Sequence, residues 1–152
     1  MSKCENSIIT VLCMIYQNNK ILLQNRVKED WKGYTFPGGH VEKQESFVQA
    51  AIREMKEETG LTVWSLNLCG VKQFQTDRDE RYIVLLFKTN CFEGTLTASE
   101  EGEMVWVDRS RLMEYPLVDD FMELLEVFDS SDLNEFMYEH CPGTDDWPVK
   151  LY

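Results

Sequence analysis

The chain has 152 residues, 43% hydrophobic and 28% charged, a balance that suits one folded domain over 1–152 and excludes disordered or fibrous classes. Its formal net charge of -12 argues against a nucleic-acid partner, since a polyanion is repelled, yet leaves room for a small phosphate compound bridged by a cation. Five cysteines, an odd number with no C-x-x-C pair, argue against a disulfide framework or a zinc site and for a reducing, cytoplasmic setting.

In chain order, residues 8–16 are an apolar run too short to span a bilayer, and they read as a buried strand with no membrane partner implied. Gln17-Asn18-Asn19 is a turn, and residues 20–25 form the second arm of a hairpin. Residues 27–39 read as a loop holding Trp31, Tyr34 and the Phe36-Pro37-Gly38-Gly39 segment. One helix is then well marked. Ser46 and Gln49 make a capping-box pattern, Phe47 opens the helix, and Gly60 closes it with a left-handed cap. Further strands are predicted over 62–68, 71–74, 82–89 and 104–107, with helices over 119–128 and around 132–138. Strands alternating with a few helices predict an α/β fold, a mixed sheet covered on both faces.

The chemistry concentrates in the marked helix. Val48, Ala51, Ile52 and Met55 recur at helical spacing and are predicted to face the core. Glu54, Glu57 and Glu58 stand at i, i+3 and i+4, within an arc of roughly 100°. Like charges so placed cost an isolated helix about 0.2–0.5 kcal/mol per pair. A hard divalent cation offsets that repulsion, and carboxylate oxygens are the donors that Mg2+ and Mn2+ prefer. The bland alternative is a solvated acidic face.

Gly39, five residues, Glu45, seven residues, Arg53-Glu54-Met55, one residue, Glu57-Glu58, one residue, then Gly60-Leu61 fills every fixed position of the Nudix box. The chain therefore resembles the Nudix hydrolases, and Phe36-Pro37-Gly38-Gly39 is similar to the segment that leads into the family's box. The resemblance implies the Nudix fold, a mixed β-sheet sandwiched between α-helices. It implies Mg2+-dependent cleavage, with Mn2+ as a substitute, of a diphosphate linkage in a nucleotide-like small molecule. By the same resemblance the Gly38 carbonyl, Glu54, Glu57 and Glu58 hold the metal, and Arg53 orients the neighbouring glutamate. Glu45 lies just before the capped helix and is within reach of Arg53. Glu101, in the acidic loop before residues 104–107, matches an acid that completes the metal site or acts as base in relatives; a solvated loop acid is its alternative. The catalytic set so implied is Arg53, Glu54, Glu57 and Glu101.

The chain's short form resembles the MutT-like enzymes that split a nucleoside triphosphate, such as 8-oxo-dGTP, into monophosphate and diphosphate. Arg26 resembles a phosphate-contacting arginine of bacterial relatives. Pro116-Leu117-Val118-Asp119-Asp120 is similar to the paired-aspartate segment that reads the base in the mammalian oxidised-purine enzyme, although Leu117 replaces that segment's tryptophan. Gly39, Arg26, Asp119 and Asp120 are thus expected at the substrate; the alternative for Asp119 is a helix cap. Three other readings stay open. An ADP-ribose or dinucleoside polyphosphate pyrophosphatase is disfavoured by the lack of proline between Gly60 and Tyr115. An isomerase would need a cysteine within 27–39, and a nucleotide sensor would usually have lost box glutamates. A homodimer is left open.

Overall fold

The computed structural model describes residues 3–152. Strand β1 (Ser7–Gln17) is central, and it turns through Asn18, at φ 54°, into β2 (Lys20–Arg26). The two strands pair only at their turn end, Tyr16 with Ile21 and Gln17 with Lys20, and then diverge. β1 continues in parallel with β7 (Arg81–Thr89) and antiparallel with β4 (Gly38–His40). On the other arm β2 pairs with β3 (Gly33–Thr35) and β9 (Gly102–Asp108). Beyond β7 the sheet extends through β6 (Asn67–Gln75) to β10 (Glu135–Tyr138) and β11 (Val149–Leu151). A separate pair joins β5 (Thr62–Trp64) to β8 (Cys91–Glu93).

The continuous apolar run of β1 reflects burial on both faces. Leu12 and Met14 pack with Phe36 and the residues of α2 (Phe121–Asp129), while Val11, Cys13 and Ile15 pack with Ala50, Ala51 and Met55 of α1 (Phe47–Thr59). Two helices on opposite faces of a mixed sheet are the expected architecture. The helix α1 begins and ends where its sequence signals place it. Ser46 Oγ accepts from the Gln49 N–H while the Gln49 side chain reaches back, and Gly60, at φ 81°, donates to the Lys56 carbonyl.

Several local expectations need correction. Residues 132–138 are not helical. Phe136 and Tyr138 alternate inward as β10, which pairs in parallel with β6 and so gains a sheet partner that a short isolated helix would lack. Residues 27–39 are not one loop, since β3 and β4 lie within or beside them. Residues 62–68 break at Ser65, at φ 53°, and β6 then runs through 71–74 with a bulge between Leu68 and Gly70. The helix α1 is also rotated relative to its predicted stripe. Val48 is 44% exposed, whereas Glu54 is only 8% exposed and joins Ala50, Ala51 and Met55 on the inner face.

Candidate active site

The rotation of α1 brings an acid inside, and the reason lies in Arg53. Its Nε and Nη2 grip both oxygens of Glu45, at 2.7 and 2.9 Å. Nη1 donates to Glu54 Oε1 at 2.9 Å and to Glu57 Oε2 at 3.2 Å, and Nη2 also donates to the His40 carbonyl at 2.9 Å. A guanidinium has five N–H donors in a rigid fork, and all five are used here. The Arg53 hydrogen bonds hold the Glu45 carboxyl down near 2, against an ordinary 4.5, and these carboxylates in turn hold the guanidinium's proton more tightly. For Glu54 burial dominates and raises its pKa, with Arg53 opposing and the charges of Glu57 and Glu58 adding to the rise.

Glu58 has different keepers. Gln24 Nε2 and Ser99 Oγ both donate to its Oε2, at 3.0 and 2.7 Å. Ser99 Oγ also accepts the Glu101 N–H at 3.2 Å, so one hydroxyl links helix and loop. Glu101 itself faces Lys28 Nζ at 2.9 Å and Arg26 Nη1 at 3.9 Å. The Arg26 guanidinium lies 4.9 Å from the centre of the Trp31 ring.

The loop before α1 adds backbone oxygen. Cys13 N–H to Pro37 O and Val41 N–H to Ile9 O set the hydrogen-bonded pairs of the β1–β4 ladder, and Gly38 and His40 fall between them. Their carbonyls therefore point away from β1. His40 spends its carbonyl on Arg53, and the Gly38 carbonyl, two residues back, shares that edge. Gly38 cannot carry a side chain without moving backbone, and Gly39 could carry one only by displacing the Glu54 carboxylate. A Cβ on Gly38 would sit 2.0 Å from the Val11 carbonyl oxygen, and one on Gly39 would sit 2.3 Å from the Glu54 carboxylate.

Most of these groups open on one cleft of about 740 Å³, at the fork between β1 and β2, with Glu45, Gln24 and Ser99 standing behind its lining. Gly38, Gly39, Arg53, Glu54, Glu57 and Glu58 line one end, and Arg26, Lys28 and Glu101 line it too. Trp31, Phe36, Lys72, Phe74, Tyr82 and Tyr138 make the rest largely aromatic. Of the expected substrate residues, Asp119 is exposed and stands outside the cleft lining. Neither aspartate caps α2 with its side chain: Asp120 is the N-cap residue, at φ 60°, and it lies behind the wall, where its Oδ2 accepts from the Tyr138 hydroxyl at 2.7 Å. That contact and burial both raise the Tyr138 pKa, burial more.

The donor set fits a hard divalent cation: three carboxylates on one helix beside an outward carbonyl. Among the described residues no three acidic, histidine or cysteine side chains are already drawn together as a ligand set. Their partners keep them apart, Arg53 on Glu54 and Glu57, Gln24 and Ser99 on Glu58. Gln24, Ser99, Lys72 and Tyr138 were not singled out by the sequence. The one available signal was polarity out of place, a glutamine and a lysine on otherwise apolar strand faces.

Comparison with known proteins agrees with this geometry. The chain matches the NUDIX domain over residues 7–128. It is 36% identical over 126 residues to the CTP pyrophosphohydrolase of Escherichia coli K12, covering 80% of this chain and 90% of that one. It is 39% identical over 93 residues to the ADP-ribose pyrophosphatase of Methanocaldococcus jannaschii, covering 59% and 54%. The oxidized purine nucleoside triphosphate hydrolase of Danio rerio is 31% identical over 111 residues, with 70% and 69% covered. The crystal structure of a MutT protein from Bacillus halodurans superposes with a TM-score of 0.75 at 26% identity, covering 95% of this chain and 97% of that one. With the box glutamates gathered on α1 at the cleft, the chain belongs to the Nudix family and is a hydrolase acting on nucleotide diphosphate linkages.

Proposed function

We propose that this protein splits a nucleoside triphosphate, oxidised purine forms such as 8-oxo-dGTP included, into monophosphate and diphosphate with Mg2+, for which Mn2+ substitutes. The observation that carries the reading is the continuity of the cleft: the carboxylate end and the aromatic end share one hollow of about 740 Å³. Relatives named for CTP and for oxidised purine triphosphates support a triphosphate substrate.

Glu54, Glu57, Glu58 and the Gly38 carbonyl would hold the cation, which when bound neutralises phosphate charge and lowers the pKa of a bound water. Arg53 fixes the rotamers of Glu54 and Glu57, so that their oxygens need little reorganisation. Arg26, at the cleft wall, contacts phosphate, and Gly39 leaves the substrate and Glu54 room to approach. Glu101 faces the cleft from the loop opposite α1 and serves as an acceptor for the water's proton. Asp120 acts at the base end through the Tyr138 hydroxyl, while Asp119, exposed and outside the cleft, has no part in the base contact.

The test is a product assay with Mg2+ on the four deoxynucleoside triphosphates, CTP, 8-oxo-dGTP, ADP-ribose and a dinucleoside polyphosphate, with products identified by mass. Monophosphate plus diphosphate from a triphosphate is expected. Turnover of ADP-ribose or the dinucleotide alone would replace the substrate class and keep the family chemistry. In the same assay Glu57→Gln is expected to lower turnover about 100-fold or more with the fold kept; near-normal activity would remove Glu57 from the metal site.

A further inference from the structure

The aromatic end of the cleft contains one misplaced charge. In β6 and its neighbours the register sets Thr10, Val84, Lys72 and Phe136 in one cross-strand row, and Tyr82 and Phe74 in the next, with the Tyr138 ring 5.8 Å from that of Phe74. Lys72 thus sits in the middle of an apolar and aromatic face, on a strand that stands two strands, about 10 Å, from β1. Its Nζ lies 4.9 Å from the Phe136 ring centre, 5.2 Å from Tyr138, 5.8 Å from Trp31 and 6.0 Å from Phe74. Cation–π attraction to these faces offsets part of the lost hydration. Among the described residues no carboxylate comes within ion-pair distance of this ammonium, although the chain carries 27 acids against 15 lysines and arginines. The nearby acid, Asp120, accepts from Tyr138 instead. Burial accordingly pushes the Lys72 pKa down to about 8, against the pull of Asp120.

An inward ammonium without an anion is costly, and methionine would fill the same space without that cost. The three N–H donors of Lys72 face the cleft that the proposed substrate enters, at the end away from the α1 carboxylates. We infer that Lys72 reads the base: its ammonium donates to the ring carbonyl oxygen of a 6-oxopurine, and so selects guanine-type over adenine-type triphosphates. Adenine presents an amino group at that edge, which would set donor against donor and leave the buried ammonium unpaired. A site built to pair a polar atom rejects the analogue that lacks it far more strongly than a shape-only pocket does. Trp31, Phe74 and Tyr82 supply the flat apolar walls that a purine needs around this contact.

The inference rests on the triphosphate reading above, and its test separates the two. kcat/KM is measured for dGTP, dITP and dATP on the wild type and on Lys72→Met. The wild type is expected to favour dGTP and dITP over dATP by about tenfold or more, because inosine keeps the 6-oxo group alone. Lys72→Met is expected to lose about tenfold or more on both oxopurines while dATP holds or gains, because the donor that opposes its amino group is gone. Wild-type dITP turnover matching dATP would overturn the inference whether or not the variant folds. An equal fall on all three nucleotides would overturn it too, making Lys72 a phosphate clamp or a packing residue. Turnover of CTP or dTTP but of none of the three purine nucleotides would overturn this inference alone, and turnover of no triphosphate by either protein would overturn the triphosphate reading itself.

Discussion

Arg53 concentrates more interactions than any other side chain in the site, because a guanidinium alone can satisfy two carboxylates, a third glutamate and a backbone carbonyl at fixed angles. Lysine carries the same charge but presents it as a point, without the fork. Arg53→Lys is therefore expected to lower turnover about 10–100-fold while leaving the secondary structure intact, as read by kinetics beside circular dichroism. Gly39 limits the same assembly from the other side. In Gly39→Ala the new methyl would meet the Glu54 carboxylate at 2.3 Å, so Glu54 must swing away from Arg53. Turnover is expected to fall about 10–100-fold while unfolding free energy drops by less than about 2 kcal/mol. A variant with normal turnover would show that the position of Glu54 is not critical. The box residues were legible because their types and spacing are fixed together. Gln24 and Ser99 were not, because a single polar residue on a strand or loop carries no periodic signal until Glu58 is seen between them.

At the level of elements, α1 is the part whose sequence and structure agree most closely at its ends and least on its faces. Both caps are local chemistry, a capping box and a left-handed glycine, and they act within a few residues. The buried face is tertiary. A stripe counted from apolar residues would bury Val48, but the tie of Arg53 to Glu45 and the β4 backbone turns Glu54 inward instead. That tie gives the helix entrance a pH dependence. Glu45 has its folded pKa lowered to about 2, so its stabilising contribution is full above its ordinary 4.5 and is lost as the pH falls toward 2. Glu45→Gln is expected to flatten the acid limb of stability between these values, followed by thermal melts across that range. An unchanged acid limb would assign it to other carboxylates. β10 escaped the sequence for a related reason: residues 135–137 pair with β6 across 64 positions of chain, and no local pattern reports so distant a partner.

The whole molecule is a sheet that forks, with α1 packed on one face, α2 on the other and the cleft at the split. Its two cores account for the apolar strands, and both helix-covered faces were foreseeable from composition and alternation. The fork itself was not, since it depends on β1 and β2 parting after two residue pairs. Placing an ammonium in the inner row at Lys72 costs stability for the sake of the cleft. Its pKa is lowered in the fold from 10.5 to about 8, so the charged form is disfavoured at neutral pH and the cost fades as the pH rises from 8 toward 10.5. Lys72→Met is expected to gain about 1–3 kcal/mol in urea unfolding at pH 7, with the gain vanishing above that window. A destabilised variant would mean that the cation–π contacts outweigh the desolvation. The central claim is that the carboxylates of α1 bind the divalent cation on which hydrolysis depends. The most direct test is titration with Mn2+, followed by the spin resonance of the free ion, on the wild type and on Glu57→Gln. The account predicts saturable binding by the wild type, displaced by Mg2+ and weakened about tenfold or more in the variant; equal binding by both proteins would contradict it.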